Sequence, residues 1–183
     1  MRVLPALLTV VLCAIILSAA QGANAQGAAP DAATASDAAA KAILDRFTPL
    51  FAKYSKISLG PEEGWVDAVD YAIENKMISK ELTDLFLKDR ACQEKLQSEC
   101  NLDFDFLYNA QDVCCPLTIS GVAQKDGKYQ LRASNGFEGE PPYVFVVIKE
   151  NGAYVIDDAI YSYEGDSYSL KELLRQPPPE DAG

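Results

Sequence analysis

Carboxylates are the first place to look for chemistry in this chain, because its 183 residues include no histidine. Without an imidazole there is no Ser-His or Cys-His dyad, no His-ligated zinc and no side chain that titrates unperturbed near neutrality. The acids gather in two places. Asp103, Asp105, Asn109 and Asp112 bring four oxygen-bearing side chains together in one short stretch, which invites a hard cation. The spacing is not that of a calcium loop, since Phe106 to Tyr108 stand where the third ligand and the turn glycine of an EF-hand belong. The expected role is local. Asp103 caps a short turn of helix, Phe104 and Leu107 face the core, and Gln111 with Asp112 bond backbone groups where helix passes into sheet. Neither a metal nor a cofactor is expected.

The second place is Asp157-Asp158, near Tyr161 and Tyr163. A strand carboxylate turned into a cavity would have its pKa raised by burial and could serve as a general base, for an isomerase or a hydratase. Adjacent strand residues face opposite sides, so at most one of the two points inward, and no second polar group can be assigned as its oxyanion partner. The expectation is a protein that is not an enzyme.

Cysteine is the remaining reactive side chain. Cys13 lies in an apolar N-terminal run, which leaves Cys92, Cys100, Cys114 and Cys115. Their spacing has neither the paired C-x-x-C knuckles of a zinc site nor a C-x-x-C redox motif, and in an exported chain four such residues read as two disulfides. Three connectivities are open. If Cys114 and Cys115 are extended, their side chains face opposite ways and each reaches a different upstream partner; a Cys114–Cys115 ring is the less favoured option because it is strained.

Export itself is read from Arg2, the apolar run Val3 to Ala20 and the small-residue exit Ala23-Asn24-Ala25, which together make residues 1–25 a signal peptide. A retained anchor competes, since 18 apolar residues are about the least that span a bilayer. Pro5 and the A-x-A site favour cleavage, after which no membrane association is expected. Removing Arg2 changes 16 basic against 27 acidic side chains, a formal charge of −11, into 15 against 27, or −12. Nucleic acid is excluded as a partner, because release of phosphate counterions needs clustered Lys and Arg. Residues 26–36 are an Ala-rich flexible leader, 37–175 a single domain and 176–183 a Pro-rich tail.

Positioning falls to the elements of that domain. Ile43, Phe47, Leu50, Phe51 and Tyr54 recur at helical spacing after Ser36, with Pro49 expected to kink or reset the helix. Gly60-Pro61-Glu62-Glu63 opens a second helix carrying Trp65, Val69, Ala72 and Ile73, and Ser79 opens a third with Leu82, Leu85 and Phe86 inside. Beyond Pro116 the period becomes two. Strands follow at Leu117–Val122, Tyr129–Ala133, Tyr143–Ile148 and Ala153–Tyr161, with hairpin turns at Asp126-Gly127 and Asn151-Gly152. Ser169 and Glu172 have capping-box spacing for a last short helix. Three helices packed on a curved antiparallel sheet of about four strands, plus a short C-terminal helix, make an α+β fold.

The run Asp103-Phe104-Asp105-Phe106-Leu107-Tyr108-Asn109-Ala110-Gln111-Asp112 resembles the D-x-D-x-[FL]-x-x-[AS]-Q-D pattern of the domain of unknown function 3828 family, small exported bacterial proteins. Ile78 to Leu82 is similar to that family's helix start, and Tyr154 to Tyr161 with Leu170 to Leu174 to its last strand and closing helix. Tyr154 replaces the usual Trp, and Cys114-Cys115 departs from the usual strand entry. The resemblance covers about residues 40–175 and implies a nuclear transport factor 2-like or cystatin-like fold and a periplasmic or surface module, often lipid-anchored, with no catalytic assignment. The expected function is a non-catalytic binding module with a pocket between helices and sheet for a small ligand or protein segment. Its candidate contacts are Trp65, Tyr108, Gln111, Asp112, Tyr143, Asp158 and Tyr161. One alternative is an inhibitor or immunity-type protein whose acidic surface meets a basic partner; the other, which the resemblance suggests, is a nuclear transport factor 2-like isomerase or hydratase using Asp157 or Asp158.

Overall fold

The computed structural model describes residues 37–60, 66–137, 139–163 and 165–178. The expected signal peptide and leader, Trp65 with the expected start of the second helix, and the end of the Pro-rich tail lie outside the described residues. Three helices come first: α1 (Asp37–Leu59), α2 (Ala68–Glu74) and α3 (Lys80–Leu96). Five strands follow, β1 (Thr118–Lys125), β2 (Lys128–Ser134), β3 (Tyr143–Glu150), β4 (Ala153–Tyr163) and β5 (Asp166–Ser169), and then α4 (Leu170–Arg175). The strands form one antiparallel sheet in the order β1-β2-β3-β4-β5. The architecture is α+β as expected, with one strand more.

β5 escapes a periodicity reading because it is only four residues long and runs directly into the Ser169 cap of α4. α1 passes through Pro49 as one helix. Pro49 and Asp45 are both exposed, so water can take the carbonyl that loses its donor. Asp67 caps α2, accepting from the Val69 and Asp70 N–H groups, so this helix begins well after Pro61. Ser79 caps α3, its hydroxyl accepting from the Leu82 N–H at 3.1 Å. Ser79→Ala is expected to cost about 1 kcal/mol, read as a shift of the urea midpoint without a change of slope.

The core lies between the helices and one face of the sheet. Ile43, Phe47, Phe51 and Tyr54 of α1 are buried against Leu131, Ala133, Tyr143, Phe145 and Val147 of β2 and β3, with the Phe51 and Phe145 rings edge to face at 5.3 Å. β5 pairs with β4 only from Ile160 onward. The linker between α2 and α3 takes the remaining edge: Ser79 N–H donates to the Ile156 carbonyl at 2.8 Å, and Ile156 N–H to the Met77 carbonyl at 2.7 Å. Opposite, the β3–β4 register slips between Val146 and Val147, leaving Asp157 as the extra residue of a bulge. Alternation therefore fails at Asp157-Asp158.

Candidate functional site

The loop joining α3 to β1 holds the site, and it is knotted from inside by Asp105. One Asp105 oxygen accepts the N–H groups of Leu107 at 2.8 Å and Tyr108 at 3.2 Å, and the other accepts the Tyr54 hydroxyl. Asp105 also pairs with Ala110 in an isolated bridge, so Asp103 to Asn109 is a tight turn, not a helix, and the capping role expected of Asp103 belongs to Asp105. Three successive carbonyls then face into protein and must find donors. The Phe106 carbonyl takes the Tyr161 hydroxyl at 2.6 Å, that of Leu107 the Tyr143 hydroxyl at 2.5 Å, and that of Tyr108 the Asn135 amide at 3.0 Å. Each donor comes from the sheet or its connections, which is how the sheet fixes the loop.

Burial dominates the electrostatics here. Desolvation pushes the pKa of Tyr54, Tyr143 and Tyr161 above that of ordinary phenols, keeping all three protonated as donors. The Asp105 pKa is likewise raised, first by desolvation, against the opposing pull of the Tyr54 hydroxyl and two backbone N–H groups.

Two cavities meet at this loop. The first, of about 420 Å³, lies among α2, α3 and the loop, with Phe86, Leu102, Phe104 and Val69 as apolar wall and Asp67, Asp89, Glu99, Asp103 and Asp105 as acids. Arg90, the one cation of its wall among the described residues, is engaged by Asp67 and by Asp70. Asp89 is buried and accepts from the Gln93 amide and the Asn101 N–H, both at 2.9 Å, fixing the α3 end of the loop. The second cavity, of about 680 Å³, is bordered by Ala110, Pro141, Gly165 and Tyr168. Asp103, Phe104 and Gln111 line both.

Trp65 lies outside the described residues; of the other contacts expected from sequence, Gln111 alone lines either of these cavities. Tyr108, Tyr143 and Tyr161 are buried core residues, and neither cavity reaches them. Asp112 is exposed outside both cavities. Asp158 accepts from the Ser169 hydroxyl at 2.7 Å and the Lys171 N–H at 3.0 Å, tying β4 to α4. Asp157 is buried against the Lys171 ammonium at 2.6 Å. Sequence reasoning missed Asp67, Arg90 and the Tyr54–Asp105 bond, whose partners are far apart in the chain. The D-x-D run was the one local signal; its local role was expected, but at Asp103, whereas it is the Asp105 oxygens that are spent on the turn.

The four cysteines form two disulfides as expected, in the connectivity that was the less favoured. Cys92 pairs with Cys100, their Cα atoms 6.1 Å apart, and Cys114 pairs with Cys115. The end of α3 turns Cys92 onto Cys100, which consumes both upstream partners. Cys114 and Cys115 precede β1, so the alternation assumed for them does not apply. Among the described residues no group of three His, Cys, Asp or Glu side chains could hold a metal ion, and no helix is long and apolar enough to cross a membrane.

Against this geometry, comparison with protein-family models, curated proteins and solved structures finds no match.

Proposed function

We propose that this chain is an exported, non-catalytic binding module that receives a small ligand or a partner segment at the loop between α3 and β1. The observation that carries the reading is the meeting of the two cavities at Asp103, Phe104 and Gln111. An aromatic face beside a carboxylate and an amide supplies both the apolar area and the few polar groups that a binding site needs. The pocket is thus walled mainly by helices and loop, with sheet connections bordering only its second half. The signal-like N-terminus and the resemblance to the domain of unknown function 3828 family, with a nuclear transport factor 2-like or cystatin-like fold, support a periplasmic setting.

Engagement of the strand carboxylates supports a non-catalytic role. Asp157 and Asp158, the carboxylates available to an isomerase or hydratase, are engaged by Lys171, Ser169 and backbone. Asp105 has the environment of a tuned acid, but its oxygens hold two backbone N–H groups and Tyr54. Native mass spectra of the mature chain purified from periplasmic extract are expected to show a bound mass that Gln111→Trp removes. Because Gln111 is exposed, the same variant is expected to keep its stability within about 0.5 kcal/mol. Spectra of bare protein only, over repeated preparations, would overturn the reading. The charge of −12 after cleavage favours one second reading, an inhibitor or immunity-type protein on a basic partner. Its mark is association that weakens steeply with salt.

A further inference from the structure

We infer that the Cys114–Cys115 pair is a thiol-exchange site at which a small external thiol adds to Cys114. Its first support is covalent geometry. Neighbouring residues across a trans peptide hold their Cα atoms 3.8 Å apart, whereas relaxed disulfides span about 4.4–6.8 Å and strained or exposed ones are the more easily reduced. Cys92–Cys100, at 6.1 Å, lies inside the relaxed range.

Accessibility then selects the sulfur. Cys114 is exposed and Cys115 half-buried. Gly136, at φ +79°, comes so close that a methyl group there would stand 2.9 Å from the Cys115 Cβ, so this stretch of chain screens Cys115 and leaves Cys114 open.

The surroundings also hold without the bond. Downstream, the Leu117 N–H donates to the buried Ser55 hydroxyl at 2.9 Å; upstream, Asp105 and the three sheet donors fix the loop. Opening the pair therefore releases no element of the fold. Val113, next to the pair, lines the first cavity, so a group carried on Cys114 arrives at its border. The inference is independent of whether a ligand occupies that cavity.

The reaction is an exchange. The thiolate of the external thiol attacks the Cys114 Sγ and forms a new S–S bond; the Cys114–Cys115 bond breaks, and Cys115 leaves with the electron pair and is protonated by water. A second external thiol attacks the outer sulfur of the mixed disulfide, releases Cys114 as a thiolate that is protonated in turn, and departs as the external disulfide. Two external thiols are oxidised and one protein disulfide is reduced.

The oxidised mature chain, titrated with dithiothreitol and separately with glutathione, alkylated and digested for peptide mass spectrometry, tests this. Cys114 and Cys115 are expected to be alkylated at about one tenth or less of the dithiothreitol concentration that exposes Cys92 and Cys100. The glutathione adduct is expected on Cys114, with far-ultraviolet circular dichroism unchanged at that point. Four results would each overturn the inference: Cys92–Cys100 opening first or together with the other pair, an adduct on Cys115 or none at all, alkylation of Cys114 and Cys115 before any reductant, or loss of the dichroism signal as the pair opens.

Discussion

Asp105→Ala is expected to destabilise the domain by about 3 kcal/mol, because it strips acceptors from two backbone N–H groups and a buried tyrosine at once. Leu107 and Tyr108 are fully buried, as is nearly all of Tyr54, so water cannot replace the lost bonds without opening the turn. Asp105→Asn separates bonding from charge. Its amide oxygen still accepts both N–H groups, and Tyr54 can turn to the Val66 carbonyl, 3.4 Å away in the native protein. That variant is expected to stay within about 1 kcal/mol of the native protein at pH 7.

The pH dependence has a definite sign. Desolvation raises the folded pKa of Asp105, so the folded state binds its proton more tightly than the unfolded chain does. Its contribution to stability is full below the ordinary carboxylate pKa and is lost as pH rises through the raised folded value. Asp157 acts in the opposite sense, so the quantity to follow is the difference between native protein and Asp105→Asn in urea titrations across that interval. Identical pH profiles for the two would show that Asp105 is not the group responsible. The same variants report on the site, because a loosened turn displaces Phe104 and Gln111 together.

Lys171→Met is expected to cost about 3 kcal/mol by leaving a buried carboxylate without its cation. The Lys171 ammonium lies 2.6 Å from Asp157 and 2.8 Å from Glu81, with the Lys171 and Asp157 side chains only 9% and 10% exposed. Lys128, at 3.6 Å and half in solvent, is a poor substitute. Burial by itself would raise the Asp157 pKa, but hydrogen bonds from Lys171 and Ser79 and the lysine charges bring it below the ordinary carboxylate value. For a depressed acid, stability is present above the unfolded pKa and is lost as pH falls through the folded one. Lys171→Met is expected to abolish that acid-side loss. The double variant Lys171→Met with Asp157→Asn is expected to recover most of the stability, since no buried charge remains. Simple addition of the two single effects would show that the pair does not act as a unit.

Both expectations rest on residues that were visible as letters and hidden as partners. Ser79 and Ser169 were legible as caps because a cap is decided within three residues, and both accept the expected N–H. The hairpins at Asp126-Gly127 and Asn151-Gly152 were legible for the same reason: Asp126 and Asn151 take positive φ, as those turns require. Asp157 was not. Its direction depends on a bulge, and one extra residue against β3 turned a carboxylate expected to sit in a cavity or in solvent into the partner of a lysine on α4. The tyrosines show the limit from another side. Tyr143 and Tyr161 were expected to contact a ligand, but their hydroxyls donate to loop carbonyls that nothing in the strand sequence announces.

By itself, then, the sequence determined the class of the fold, the helix caps, the hairpin turns, the exclusion of histidine chemistry and the acidity of the whole, since each of these depends on residue identity or on spacing over a few positions. Tertiary structure alone decided which acids are structural and where a ligand could enter. Tyr54 lies 51 residues from Asp105, and Lys171 lies 14 from Asp157 and 90 from Glu81. Only the folding of helices, loop and sheet around one core brings such groups within bonding distance, and the cavities that meet at Gln111 are the space left between them.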